Sequence, residues 1–111
     1  MLDKLCDALA EAIGIPFAKF AWSTAPTGDY GVIAVDGEGA TLYADDELVC
    51  QACKGVLKVY CAGDGEQLML ATQDAMTAND DVVTWRLYDS DYDDETRTTH
   101  YIWFIEVFLY G

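Results

Sequence analysis

From Tyr101 to Gly111 the chain reads Tyr-Ile-Trp-Phe-Ile-Glu-Val-Phe-Leu-Tyr-Gly, a β-type run that is apolar on both of its sides. In a strand successive side chains point to opposite faces, so Tyr101, Trp103, Ile105, Val107 and Leu109 share one side while Ile102, Phe104, Phe108 and Tyr110 share the other. Both sides therefore require cover. A chain of 111 residues can lay helices over one face of a sheet, but it has little material left for the second, which is expected to meet another polypeptide.

The remaining segments are short and well punctuated. Leu2, Leu5, Cys6, Leu9 and Ile13 recur at helical spacing, with Asp3 in the first turn and Gly14 at the end, which predicts an amphipathic helix over 2–13. Phe17 to Trp22 reads as a short extended segment, and Tyr30-Gly-Val-Ile-Ala-Val-Asp36 as a strand. Asp36-Gly-Glu-Gly39 is expected to turn that strand back on itself into Ala40–Ala44, whose exit is the acidic corner Asp45-Asp46-Glu47. Residues 48–62 form one long strand in which Leu57, Val59 and Cys61 alternate with Lys58 and Tyr60, and Gly55 is the expected site of a bulge separating two halves of different register. Asp64-Gly-Glu-Gln67 has the form of a helix N-cap, and Leu68, Ala71, Ala75 and Met76 give that second helix an apolar face to about Ala78. Two further strands, Val82–Tyr88 and Arg97–Tyr110, are joined by an acidic loop, Asp89 to Glu95. This order predicts a single α+β domain over 1–111, a mainly antiparallel sheet with two helices packed on one face.

Charge narrows the partners. Twenty acidic residues against six basic ones give a net charge of -14, so nucleic acid and anionic membrane are disfavoured as direct ligands, and no basic patch stands out in the sequence. No run approaches the roughly 18 apolar residues of a membrane span, and no secretory pattern opens the chain, so a cytosolic product with reduced thiols is expected.

Candidate chemical sites have plainer structural readings. Cys50 and Cys53 have C-x-x-C spacing, yet a strand points them in opposite directions, so Cys6, Cys50, Cys53 and Cys61 are read as thiols without zinc. Asp89, Asp91 and Asp93 alternate like the start of a calcium loop, but Asp94 stands where that loop needs Gly and His100 where it needs Glu. His100, the sole histidine, is read as a structural or edge-strand residue. Paired carboxylates at Asp45, Asp46 and Glu47 are more simply a turn corner. Trp22, Trp85 and Trp103 are core or interface aromatics. No catalytic residue, cofactor or metal is assigned.

Pro16-Phe17 after a first helix, Tyr30-Gly-Val-Ile-Ala-Val-Asp36, Leu42-Tyr-Ala-Asp45, Val56-Leu-Lys-Val-Tyr60 before the second helix and the closing His100-Tyr-Ile-Trp-Phe-Ile-Glu106 together resemble the tail-completion proteins of long-tailed bacteriophages with noncontractile tails. These are also called tail terminators or tail-to-head joining proteins. The resemblance runs in order along nearly the whole chain, departing at Cys50-Gln-Ala-Cys53-Lys-Gly55, where the family's strand is smoother. It implies a virion protein of the tail or neck, assembled in the host cytoplasm. Such a protein forms a homo-oligomeric ring, a hexamer, on the head-proximal end of the tail tube, touching the tube protein and the head connector or stopper.

On that reading Trp22, Tyr30, Tyr43, Ile102, Phe104 and Phe108 are candidate subunit-interface residues. Asp45, Asp46, Glu47, Asp89, Asp91, Asp93, Asp94 and Glu95 are candidates for a channel or rim, where carboxylates let DNA pass without specific binding. The competing class is a small acidic DNA mimic that occupies the basic groove of a host nucleic-acid-binding protein.

Overall fold

A computed structural model describes residues 2–20, 22, 26–35, 41–44, 47–63 and 65–110; for Leu2, residues 41–44 and 47–51, Leu109 and Tyr110 it describes the backbone alone. The elements run α1 (Leu2–Ile13), β1 (Phe17–Lys19), β2 (Tyr30–Val35), β3 (Thr41–Ala44), β4 (Glu47–Ala62), α2 (Glu66–Ala78), β5 (Val82–Asp93) and β6 (Thr98–Tyr110). The strands form one six-stranded sheet, ordered β1-β2-β4-β6-β5, with β3 pairing to β4 off that path. Every pairing is antiparallel except that of β1 with β2. The fold is α+β, as the order of segments predicts.

The helices cover one side. From α1 come Leu5, Cys6 and Leu9, from α2 Met76, and from the sheet Ile33, Cys53, Leu57, Val59, Cys61, Tyr101, Trp103, Ile105 and Val107, all buried in one cluster. The odd-numbered positions of β4 and β6 thus share the helix-covered side, because alternation along two antiparallel strands in even register keeps partners on the same face. Burial does not strand the indole nitrogens: Trp103 Nε1 donates to Gln73 Oε1 at 3.2 Å and Trp85 Nε1 to Thr77 Oγ1 at 3.1 Å, both acceptors on α2. Gly14 ends α1 at φ +88°, its N–H bonding the Ala10 carbonyl at 2.8 Å.

Several expectations need correction. β2 and β3 do not pair with each other: β2 lies against residues 55–60 of β4 and β3 against residues 47–51. A 16-residue β4 offers one flank long enough for two short strands in tandem, so β3 continues in the direction of β2. The hairpin here is β3–β4, with Ala44 opposite Glu47. The proposed turn at Asp36–Gly39 and the corner residues Asp45 and Asp46 lie outside the described residues.

β4 and β6 keep one register from Cys50↔Tyr110 to Ala62↔Thr98, and β2 meets Gly55 in step, so Gly55 is not a bulge; β4 changes register only against β3. Gly55 is instead a point of close approach, where a Cβ would run into the Ala34 carbonyl oxygen of β2. The phase shifts occur opposite Leu42 and Tyr43 of β3, where β4 has Val49 as the extra residue, and, in β5, between Val82 and Thr84 and between Leu87 and Asp89. α2 begins at Glu66 with Gly65 as N-cap at φ 61°, one residue later than the Asp64 cap predicts. A Cβ at Gly65 would meet the Cys61 sulfur, and the left-handed backbone there also favours glycine.

β5 extends to Asp93 rather than ending near Tyr88, so Asp89, Asp91 and Asp93 belong to a strand and not to a loop. Aspartate is a poor strand former, but the ladder to β6 satisfies the backbone, and on an outermost strand the carboxylates remain solvated. His100 sits on β6, flanked by β4 and β5, so it is not an edge-strand residue.

Cys6, Cys53 and Cys61 are buried thiols. Burial, assisted by Asp3 and Asp7 and opposed by Lys19, raises the Cys6 thiol to about 11. Because the folded state holds this proton more tightly than the unfolded chain does, stability from Cys6 is complete below pH 9 and declines as pH rises toward 11. Denaturant titrations across that range are expected to show a decline that Cys6→Ala lessens. The Gly55 contact predicts a second contrast. Gly55→Ala must push backbone apart and is expected to cost about 1–3 kcal/mol, while Gly28→Ala, where a Cβ meets nothing within 4 Å, leaves the melting temperature nearly unchanged.

Candidate subunit interface on the open face of the sheet

Cross-strand registers arrange the side without helices into parallel rows. Tyr30, Tyr60, His100 and Asp91 are successive partners across β2, β4, β6 and β5; Val32, Lys58, Ile102 and Asp89 form the next row; Ala34, Val56, Phe104 and Arg86 form a third. Lys54, Glu106 and Thr84 form a shorter fourth row over β4, β6 and β5.

The first row is aromatic. Tyr30 and Tyr60 stack with centroids 4.9 Å apart, and the Tyr60 and His100 rings lie 5.9 Å apart. Trp22 meets the edge of Tyr30 at 6.4 Å while its Nε1 donates to the Gly31 carbonyl at 3.0 Å, which fixes the indole against β2. Partial burial and the neighbouring Tyr60 raise the Tyr30 phenol above its ordinary value. In the third row Tyr88 lies over Phe104 at 4.4 Å and the Arg86 guanidinium sits 5.4 Å from the Phe104 centroid. Even with these neighbours Phe104 stays 37% exposed and Tyr88 60%. Two open grooves flank Val56, one edged by Phe20, Trp22 and Lys58, the other by Lys54, Arg86 and Phe104.

Of the predicted interface residues, Trp22, Tyr30, Ile102, Phe104 and Phe108 all belong to this side or its margin: Ile102 and Phe108 are partly buried, between the buried Tyr101, Trp103 and Val107 of the helix side. Tyr43 is placed on β3, and its side chain lies outside the described residues. The acidic candidates separate. Asp89, Asp91 and Asp93 line the open side of β5, Asp94 and Glu95 occupy its turn into β6, and Glu47 begins β4.

The shift between Leu87 and Asp89 causes that placement. Before it Trp85 and Leu87 oppose Ile105 and Trp103, odd against odd; after it Asp89 and Asp91 oppose Ile102 and His100. One extra residue therefore reverses which side of the strand the odd positions occupy. The turn is closed by Arg97, at φ 56°, whose N–H bonds the Asp93 carbonyl at 2.7 Å, and by the Asp93 side chain accepting from the Glu95 N–H at 2.9 Å.

Sequence reasoning missed Tyr60, Tyr88, Val56, Lys54, Lys58 and Arg86. No basic patch is visible in the linear sequence, whereas the register gathers Lys54, Lys58 and Arg86 on this one side. Even spacing of Lys54, Val56, Lys58 and Tyr60 along a single strand was the signal that could have revealed most of it. Among the described residues no three His, Cys, Asp or Glu side chains group to hold a metal ion, and no helix is long and apolar enough to cross a membrane. No protein-family model matches this chain, and no curated protein matches it.

Proposed function

We propose that this protein is a structural virion subunit, a tail terminator that forms a ring at the head-proximal end of a phage tail tube and joins it to the head connector. One observation carries the reading: the described residues leave open the side of the sheet opposite the helices, which bears Phe104, Tyr88, Ile102 and the Trp22–Tyr30–Tyr60 series. An apolar and aromatic surface of this kind is the usual character of the centre of a protein interface. The sequence resemblance supplies the ring and its place in the virion. Acidic residues such as Glu47 and Glu95 then serve at the lumen or at a rim, where carboxylates repel DNA phosphate over a Debye length of roughly 8–10 Å.

A second reading, the acidic DNA mimic, is favoured by one feature. Asp89, Asp91 and Asp93 recur along one side of an extended strand at about 6.8 Å, twice the rise per residue. A mimic of this sort works as a monomer, whereas the ring reading requires assembly.

Sedimentation and negative-stain imaging of the purified chain separate the two, with closed rings expected. Phe104→Asp is expected to dissociate them into folded monomers, since it removes about 2 kcal/mol of apolar burial and strands a charge in the contact. Rings that survive this change would exclude the open face as the interface. Glu47→Gln with Glu95→Gln is expected to preserve folding and assembly while slowing DNA passage in particles carrying the variant, read as a lower rate of genome ejection.

A further inference from the structure

Charge is unevenly distributed over this molecule. Only six residues are Lys or Arg, and three of them, Lys54, Lys58 and Arg86, stand in adjoining rows around Val56 and Phe104. None of the three enters an ion pair among the described residues, where the salt bridge found is Lys19 with Asp3 at 3.2 Å on the helix side. At one end of the same molecule the last residues of β5 and its turn into β6 present Asp91, Asp93 and Asp94, exposed and likewise outside any ion pair among the described residues.

No ion pair joins these two groups among the described residues, although Asp91 stands only one row from Lys58. The widest gap is from Asp93, opposite Thr98, to Arg86, opposite Phe104, six residues apart on β6 or about 20 Å at the rise of an antiparallel strand. That is twice the screening length at cellular salt. A second copy removes the obstacle.

We propose that the open sheet face of one copy receives the acidic β5–β6 turn of the next, head to tail, with Lys54, Lys58 and Arg86 answering Asp91, Asp93 and Asp94 around an apolar centre at Val56 and Phe104. The proposal rests on the ring reading and specifies its contact. Two-fold stacking of face on face is the poorer solution, because the three cations lie near the middle of the face and would meet their own copies. Head-to-tail contact avoids this; an open series still has one free turn and one free face, and on the ring reading these two meet to close it. Nucleic acid fits less well: Asp89, Asp91 and Glu106 share the face with the cations, and the chain as a whole carries -14.

Two charge-reversed variants test the contact. Lys54→Glu with Lys58→Glu and Arg86→Glu, and separately Asp91→Lys with Asp93→Lys and Asp94→Lys, are each expected to sediment as folded monomers, while a 1:1 mixture of them regains the wild-type assembly. Circular dichroism checks folding, and the milder Lys54→Gln, Lys58→Gln, Arg86→Gln variant replaces a reversal that does not fold; it is expected to raise the dissociation constant of assembly about tenfold or more. If both reversed variants assemble like wild type, or if the mixture stays monomeric, the contact is overturned while the ring reading stands. A wild-type chain that is itself monomeric at high concentration overturns both. Retention of a single-stranded oligonucleotide by wild type, lost on reversing the face while assembly is unchanged, would make the face a nucleic-acid platform and overturn the contact.

Discussion

The pairing of β4 with β6 governs this molecule. Thirteen consecutive residue pairs, from Cys50 with Tyr110 to Ala62 with Thr98, run in a single register without a break. Because the register is even, it decides at once which side chains go under the helices and which stay open. Every other strand takes its position from this ladder: β2 and β3 share the outer flank of β4, and β5 follows β6. The longest dimension, 53 Å, is close to the span of β6 plus its neighbours, about 44 Å for 13 extended residues.

On the helix side the ladder makes a closed core with few polar compromises. Trp103 and Trp85 each reach an acceptor on α2, and Cys61 Sγ donates to the Thr99 carbonyl at 3.6 Å. The Thr99 hydroxyl donates to the Gly63 carbonyl just before α2. Among the described residues no buried side-chain polar atom lacks a partner. The open side has a different economy: its rings lean on one another and on a guanidinium, yet they leave large apolar surface in water. A single chain with one side finished and the other unfinished is the physical basis for reading assembly here.

Much of this was legible in the sequence, for reasons that can be named. The two-sided apolar run of β6 and the alternation of Leu57, Val59 and Cys61 gave the central strands and their helix-facing side, since a period of two survives any uncertainty at the ends. The helical spacing of Leu2 to Ile13 gave α1 with its bounds. What failed was relational. Nothing local in Tyr30–Val35 or Thr41–Ala44 says that both will lie on β4 instead of on each other, because that choice depends on the length of a strand elsewhere. Gly55 looked like a bulge because glycine marks both bulges and close approaches, and only the neighbouring Ala34 carbonyl distinguishes the two. The candidate interface was half found: the apolar members show in the sequence, but the clustering of three cations appears only once three strands are in register.

The phase shift at Leu87–Asp89 carries a consequence of another kind. Composition has no part in deciding whether the carboxylates of Asp89, Asp91 and Asp93 lie toward the helices or away from them; the count of residues does. Substitution along this stretch can only edit one side chain at a time, whereas gain or loss of a single residue turns over the whole series at once. The strand therefore has two ways to vary, one graded and one abrupt, and the abrupt one exchanges the aspartates for Ser90 and Tyr92 on the open side without altering the net charge of any of them.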